Sequence, residues 1–446
     1  MKKFFRNLSH VQIIALGFVI LLLAGTLLLM LPVARQDHQS ASFSDALFTA
    51  TSAGCVTGLV TVDTGTTWSV FGQCVILVLI QIGGLGVITI ATLFFLLFRR
   101  RMGLRQKEVM SESINSSGIG NIRRIAGDIF RGTIVLEGCG AVILALRFYF
   151  GYGFSLPRAF FVGLFCAVSA FCNAGFDLNG SFSSFQEYSA DPVIMPVLIA
   201  LIIIGGIGFL VWEEIREKKF RFRLYSLHAK IALITTLILT LGGALVFFFL
   251  ERNYSHAGQS LPHAILSSIF DATTPRTAGF SISDMSRFST GGMLLTMVLM
   301  FIGGSPGSTA GGIKTTTIAV LFLFSFASMR SSHSAGAFRR RLPRESLSKA
   351  AGVFFVNLTL VLTSFFLLSV FQPNFSFTDL IFEAFSAMGT VGMSTGITPY
   401  LNTGARIVLI LLMFVGRVGS ISFGAALMEK KAPPPAMDPY ENVIVG

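Results

Sequence analysis

Apolar residues in this chain come in blocks long enough to cross a bilayer, and the polar positions between the blocks repeat. Near-continuous apolar runs cover residues 11–31, 71–98, 192–212 and 231–250, each close to or beyond the ~20 residues that a hydrocarbon core requires. Between the long runs lie shorter amphipathic stretches at 43–54, 157–171, 262–274 and 377–388, only 12 to 15 residues each. That length is too short to span and predicts re-entrant helices. Each runs into a small loop holding a glycine: Gly58, Gly175, Gly279 and Gly392, separated by 117, 104 and 113 residues. Six positions before each glycine stand Ser52, Ser169, Thr273 and Ser386; five before stand Ala53, Ala170, Thr274 and Ala387; ten before stand Phe48, Phe165, Ile269 and Phe382. A second column begins 24 to 30 residues after each glycine, as Gly83-Gly84, Gly205-Gly206, Gly303-Gly304 and Gly416-Arg417.

One unit is therefore used four times. Outer spans at 11–32, 127–150, 228–250 and 348–371 precede the four short helices, and a second span carrying the Gly-Gly column follows each. The expected fold is an all-α integral membrane protein of four tandem helix–re-entrant pore loop–helix repeats, eight spans around a pseudo-fourfold pore. The repeats divide the chain at 1–98, 99–212, 213–328 and 329–446. Ser44-Asp45, Pro157, Pro262 and Thr378-Asp379 are the expected starts of the short helices, by capping and by proline's tolerance in a first turn.

Composition agrees with the membrane assignment: 53% of the 446 residues are hydrophobic and 13% charged, with 45 phenylalanines. A soluble chain could not bury so much apolar sequence with so little charge left for its surface. The N-terminal Met1-Lys2-Lys3-Phe4-Phe5-Arg6 and the run behind it read as a retained first span, since the run is long for a signal peptide and no small-x-small cleavage site follows. The net charge of +12 is not a nucleic-acid signature, because 24 of the 34 Lys and Arg fall in five stretches: the N-terminus, 99–124, 216–230, 330–349 and Lys430-Lys431. These alternate with segments poor in Lys and Arg, such as 177–191 and 372–379. By the positive-inside rule both termini and three intervening loops face the cytoplasm.

Irregular backbone at membrane depth costs several kcal/mol for each unpaired N–H or C=O unless protein, water or an ion satisfies it. Each short helix also aims its partly negative C-terminus at its loop, which favours a cation there. Glycine permits the positive φ and close strand approach that a ring of inward carbonyls demands. A single glycine could equally serve helix packing, but four in matched columns point to an ion filter, with the Gly-Gly columns left as packing sites.

The motifs Val56-Thr57-Gly58-Leu59, Asn173-Ala174-Gly175-Phe176, Thr274-Pro275-Arg276-Thr277-Ala278-Gly279-Phe280 and Gly389-Thr390-Val391-Gly392, with Gln81-Ile82-Gly83-Gly84-Leu85-Gly86, the segment 301–317 and Phe414-Val415-Gly416-Arg417-Val418-Gly419, resemble the Ktr/Trk/HKT superfamily of potassium transporters over nearly the whole chain. The resemblance is closest to the membrane-embedded, ion-translocating subunit of the Ktr branch. It implies potassium uptake across a bacterial cell membrane through a gated, channel-like pore. The implied filter comprises Val56, Thr57 and Gly58, Asn173, Ala174 and Gly175, Thr277, Ala278 and Gly279, and Thr390, Val391 and Gly392, with potassium bound only by their carbonyls. Serine at the first glycine accompanies sodium selectivity in the plant branch, so Gly58 fits potassium; Cys55 departs from the more usual threonine. The run Gly303, Gly304, Ser305, Pro306, Gly307, Ser308, Thr309, Ala310, Gly311, Gly312 could on its own be a kinked helix, yet five glycines and a proline in ten residues disfavour helix. The resemblance makes it an intramembrane gating loop beneath the filter, and sets Arg417 at the pore beside it. It also implies a cytoplasmic ring of nucleotide-binding RCK-type regulatory subunits docking on the basic loops, and a homodimer of membrane subunits in the lipid bilayer, with the C-terminal stretch 440–446 packing at the dimer interface.

No organic cofactor and no enzyme are expected. The six histidines (His10, His38, His228, His256, His263, His333) sit in termini, loops or span edges, and neither HExxH nor a P-loop occurs. The five cysteines (Cys55, Cys74, Cys139, Cys166, Cys172) form no CxxC and read as free thiols; Cys55 and Cys172, each three before a filter glycine, are either packing or vestibule residues. Lys314 either lines the pore or reaches to the interface. Asp45 and Asp379 are expected at the wet outer helix ends, Asp271 and Glu383 as supports of the filter backbone, and Arg276 as the partner of one of these acids. Sodium permeation or sodium–potassium symport stays open, because carbonyl rings do not reveal stoichiometry.

Overall fold

The computed structural model describes residues 10–86, 122–219, 221–331 and 335–419. The N-terminal charges, most of the 99–124 basic stretch, the inner end of the 71–98 run, Lys430-Lys431 and the segment 440–446 lie outside these residues. The outer helices are α1 (His10–Leu29), α4 (Ile122–Tyr152), α8 (Leu227–Glu251) and α12 (Arg344–Phe371). All four are long and apolar enough to span a bilayer. They present to the outside side chains such as Leu27, Phe150, Phe249 and Phe366, each more than 60% exposed, as a lipid-facing surface requires.

The short helices follow: α2 (Phe43–Gly54), α5 (Leu156–Phe171), α9 (Leu261–Thr273) and α13 (Phe377–Gly389). They are the inner layer. Alanines at close intervals, such as Ala46, Ala50 and Ala53 or Ala159, Ala167 and Ala170, are fully buried, so the helices pack tightly against their own outer spans. The starts follow Ser42, Ser155, Ser260 and Ser376; α2 and α13 begin where their amphipathic stretches do, and α5 and α9 one residue before Pro157 and Pro262. Ser42 and Ser376 accept from the backbone N–H of Asp45 and Asp379 at 3.1 Å, and their hydroxyls donate to the same carboxylates at 2.7 Å. The serines are thus the N-caps, and the aspartates sit inside the first turn rather than at the cap.

The second helices are α3 (Val70–Leu85), the pair α6 (Ile194–Gly206) and α7 (Phe209–Lys218), the pair α10 (Thr290–Phe301) and α11 (Thr315–Met329), and α14 (Thr403–Val418). The 192–212 run is not one straight span: α6 and α7 meet at 96°. The turn is made by Gly208 at φ 99, ψ 137, a backbone region that is nearly glycine-only. Gly86 (φ 84, ψ 134) and Gly419 (φ 95, ψ 129) end α3 and α14 in the same conformation, three residues after the first glycine of the Gly-Gly column. In the third repeat that position is Pro306, and the whole segment 302–314 leaves the helix. A two-residue hairpin, β1 (Gly336–Ala337) with β2 (Arg340–Arg341), links α11 to α12.

Candidate functional site

The four loops adopt one backbone. Two residues before each glycine, Val56, Asn173, Thr277 and Thr390 take φ of 58, 58, 76 and 49, and the glycines take φ of 98, 70, 79 and 98. The intervening Thr57, Ala174, Ala278 and Val391 keep negative φ. Side chains resist the left-handed region by roughly 1–2 kcal/mol per residue, so this alternation is held by its surroundings. In the first repeat the Thr57 amide donates to the Ser52 carbonyl at 2.8 Å, and the Gly58 amide to the Ser52 hydroxyl at 3.0 Å. In the fourth, Val391 donates to the Ser386 carbonyl at 2.8 Å and Gly392 to the Ser386 hydroxyl at 3.1 Å. In the second, Ala174 donates to the Ser169 carbonyl at 2.7 Å, while the Ser169 hydroxyl takes the Phe176 amide at 3.0 Å. The serine column is thus the anchor of the loops.

The third repeat departs by one residue. Ala278 donates to the Thr274 carbonyl at 2.9 Å, and the Thr274 hydroxyl donates to the Phe280 carbonyl at 2.6 Å. Thr273 instead donates its hydroxyl back to the Ile269 carbonyl at 2.7 Å. The anchoring position is Thr274, not Thr273, and the fully buried aromatic is Phe270 rather than Ile269. Pro275 follows directly and has no N–H to bond.

Around the centre the loops close on one another. A Cβ placed on Gly58 would stand 2.6 Å from the carbonyl oxygen of Ala174, one on Gly175 2.8 Å from that of Ala278, one on Gly279 2.1 Å from that of Val391, and one on Gly392 2.1 Å from that of Thr57. Repeat one touches two, two touches three, three touches four, and four returns to one. Only a closed ring gives that order. All four glycines line a single cavity of about 210 Å³ together with Asp63, Asp177, Ser184, Ser281, Ser394 and Tyr400. The two aspartates beside it put negative charge at the mouth and favour cations. They have no place in the columns quoted above; their signal in the sequence is only that each follows a glycine of the ring within five residues.

Beneath the ring lies the Gly-Gly column. A Cβ on Gly83, Gly205 or Gly416 would come within 2.0–2.3 Å of the carbonyls of Gly54, Phe171 and Met388, the last turns of the short helices. These glycines are packing sites, as expected. In the third repeat the segment 302–314 folds against the neighbours instead. Gly303 and Ser305 donate their amides to the carbonyls of Ile313 and Gly206, at 2.8 and 2.9 Å. The Thr309 hydroxyl donates to the Phe171 carbonyl at 3.0 Å, and a Cβ on Gly311 would stand 2.0 Å from Thr390 Oγ1. Phe209 at the start of α7 donates to the Gly307 carbonyl at 2.7 Å.

Arg417 fixes this segment to the opposite side. Its guanidinium donates to the Thr309 carbonyl, and to those of Gly83 and Gly84 at 2.5 and 2.9 Å. Lys314 does not reach toward an interface: its ammonium folds back on the carbonyls of Ala310 and Gly311 at 2.8 and 3.4 Å. Two cations therefore hold the loop through its own oxygens.

Not all the other single charges sit as expected. Arg276 pairs with neither acid; it donates to the carbonyl of Thr236 and the hydroxyls of Thr236 and Thr240 on α8, at 3.1–3.4 Å. Asp271 bonds to His256 Nε2 at 2.8 Å; His256 lies in the turn after α8, as expected, but is only 2% exposed. Glu383 accepts from the hydroxyls of Ser394 and Thr398. Glu383 also accepts from the backbone amide of Thr395, three residues past Gly392, so it supports the backbone of the fourth loop, whereas Asp271 is held by His256. Cys55 and Cys172 are fully buried free thiols packed against helices.

The family model described as TrkH, cation transport protein, matches residues 2–433 of the chain. The potassium/sodium uptake protein NtpJ of Enterococcus hirae is 38% identical over 451 residues, covering 100% of this chain and 99% of that protein. The Ktr system potassium uptake protein B of Bacillus subtilis is 40% identical over 417 residues, 92% of this chain and 91% of that protein. Among solved structures, the potassium transporter TrkH from Vibrio parahaemolyticus superposes with a TM-score of 0.76 at 18% identity, covering 95% of this chain and 86% of that one.

Proposed function

The chain belongs to the TrkH family of cation transport proteins, and from that premise we propose that its glycine ring is the selectivity filter of a potassium uptake pore. It is a membrane transporter and not an enzyme. The observation that carries the filter assignment is the cyclic order of glycine-to-carbonyl approaches among Gly58, Gly175, Gly279 and Gly392. Carbonyls brought that close around one cavity can replace the water of a dehydrated cation, and the residues at 56–58, 173–175, 277–279 and 390–392 are those that present them. The segment 303–312 with Arg417 is the gate: it lies under the ring, and moving it requires release of the guanidinium bonds to Thr309, Gly83 and Gly84.

Each repeat supplies one quarter of the pore, with divisions near residues 98, 212 and 328. The subunit works as the translocating part of a Ktr-type system in a bacterial cell membrane, both termini in the cytoplasm. Its partners are a nucleotide-binding cytoplasmic ring, seated on basic positions such as Arg216, Arg340 and Arg341, and a second copy of this chain. One relative's name joins sodium to potassium, which makes sodium dependence the second reading of the same pore.

The deciding experiment is potassium and sodium flux into proteoliposomes, comparing the wild type with Gly58→Ser. Potassium-selective flux that loses selectivity in the variant supports the filter; sodium in the bath that accelerates potassium entry supports coupling. Equal fluxes of both ions in the wild type, unmoved by the substitution, would reject the filter.

A further inference from the structure

Glu137 lies in the middle of the apolar run of α4, a membrane-spanning helix, and is 6% exposed. A carboxyl group there is costly and persists only where neighbours compensate it. Its neighbours come from two other elements. It accepts from the side-chain amide of Gln81 on α3, and its Oε1 lies 3.7 Å from the Cys172 thiol, which is itself 3.9 Å from Gln81 Oε1. Both partners adjoin the pore. Cys172 caps α5 and precedes Asn173, the left-handed residue of the second filter loop. Gln81 stands two residues before Gly83, whose carbonyl, with that of Gly84, receives Arg417. The three side chains meet where α3 has no side chain in the way: a Cβ on Gly84 would lie 2.6 Å from Cys172 Sγ.

We infer that Glu137 is a positioning residue for cation selectivity, setting the second filter loop through Cys172 and the Arg417 acceptor strand of repeat one through Gln81. The inference rests on the filter assignment made above. Glu137 touches no permeating ion; it holds two neighbouring quarters of the ring in register from behind. Gln81 and Cys172 are weak anchors alone, since a lone amide and a thiol on different helices have no reason to meet. A single carboxyl group between them gives both a shared acceptor.

The test uses proteoliposomes carrying the full chain, with potassium KM, maximal rate and potassium-over-sodium preference measured at equal amounts of inserted protein. Glu137→Leu should raise the potassium KM and lower the preference by about tenfold, the scale of coupling between contacting residues, with the maximal rate per inserted protein retained. Glu137→Gln, which keeps an acceptor oxygen, should restore most of both. Gln81→Leu should behave like Glu137→Leu, and the double variant should be no worse than either single one. Wild-type KM and preference in Glu137→Leu, failure of Glu137→Gln to rescue, or fully additive effects in the double variant would each overturn the inference. Gly58→Ser run alongside separates the two levels. If it alters selectivity while Glu137→Leu does not, only this inference fails; if the wild type does not discriminate the ions and Gly58→Ser changes nothing, the filter assignment fails and takes this one with it.

Discussion

At the scale of single residues, the glycines of the ring are constrained twice, by conformation and by space. Positive φ disfavours any side chain by roughly 1–2 kcal/mol, and the missing Cβ would face a backbone oxygen that cannot swing aside. The second constraint is graded. The approach is 2.1 Å at Gly279 and Gly392 but 2.6 Å at Gly58 and 2.8 Å at Gly175. Alanine at 279 or 392 should therefore abolish potassium flux, while alanine at 175 should leave a reduced and less selective flux; flux assays on the four single variants give the ranking directly. The serine anchors make a second residue-scale prediction. Ser386→Ala strips the part-buried Gly392 amide of its acceptor, and losing such a bond costs on the order of 1 kcal/mol. Purified Ser386→Ala should melt at lower temperature than the wild type, and added potassium should recover less stability than it does for wild type, because ligand stabilisation tracks affinity.

Secondary-structure elements are shaped by where helix is forbidden. Among the described residues α3 and α14 end at Gly86 and Gly419, and α6 turns into α7 at Gly208, all at φ of 84–99. Gly208→Ala combines that φ with a Cβ 2.7 Å from the Pro306 carbonyl oxygen. It should lower the thermal midpoint, whereas Gly242→Ala, in an exposed helical position with open space around it, should leave it equal or higher by the usual glycine-to-alanine gain of about 0.5–1 kcal/mol. The segment 302–314 is held by hydrogen bonds from Arg417 and Lys314 to its own carbonyls. Arg417→Gln removes the strongest of these ties and one positive charge below the filter. Basal potassium flux without any regulatory partner should rise; a flux equal to or below wild type would show that the arginine does not restrain the loop.

For the whole molecule, the arrangement is a polar ring walled by short helices and then by lipid-facing spans. Ring closure depends on all four repeats at once, since each glycine approaches a carbonyl of the next repeat. The proposed sidedness, with the basic loops in the cytoplasm, is open to a direct test. With the five native cysteines replaced by serine or alanine, Asn374→Cys and Arg340→Cys, the first in a segment poor in Lys and Arg and the second in the basic hairpin, should label with an impermeant maleimide from outside and from inside respectively. Labelling of both from one side would contradict the orientation.

Much of this was legible in the chain. The short helices fall within about two residues of 43–54, 157–171, 262–274 and 377–388 because apolar length and a terminal glycine are local properties that tertiary contacts do not alter. The Gly86 and Gly419 breaks stood in the quoted motifs, and aligning them with Gly208 would have exposed a third column. Arg276 and Asp271 were placed wrongly because a buried charge takes whichever partner the packing delivers, here α8 and His256. Likewise the shift from Thr273 to Thr274 is decided by a one-residue change in loop path that four similar strings do not reveal. The sequence by itself determined the repeat, the membrane and the positions where glycine is obligatory, since these follow from hydrophobicity and backbone conformation. Only the tertiary structure decided the circular order of the four loops and the seat of the segment 302–314, because each is a contact between residues about a hundred or more positions apart, and it alone decided the partners of the buried charges, because packing, not spacing in the chain, brings those side chains together.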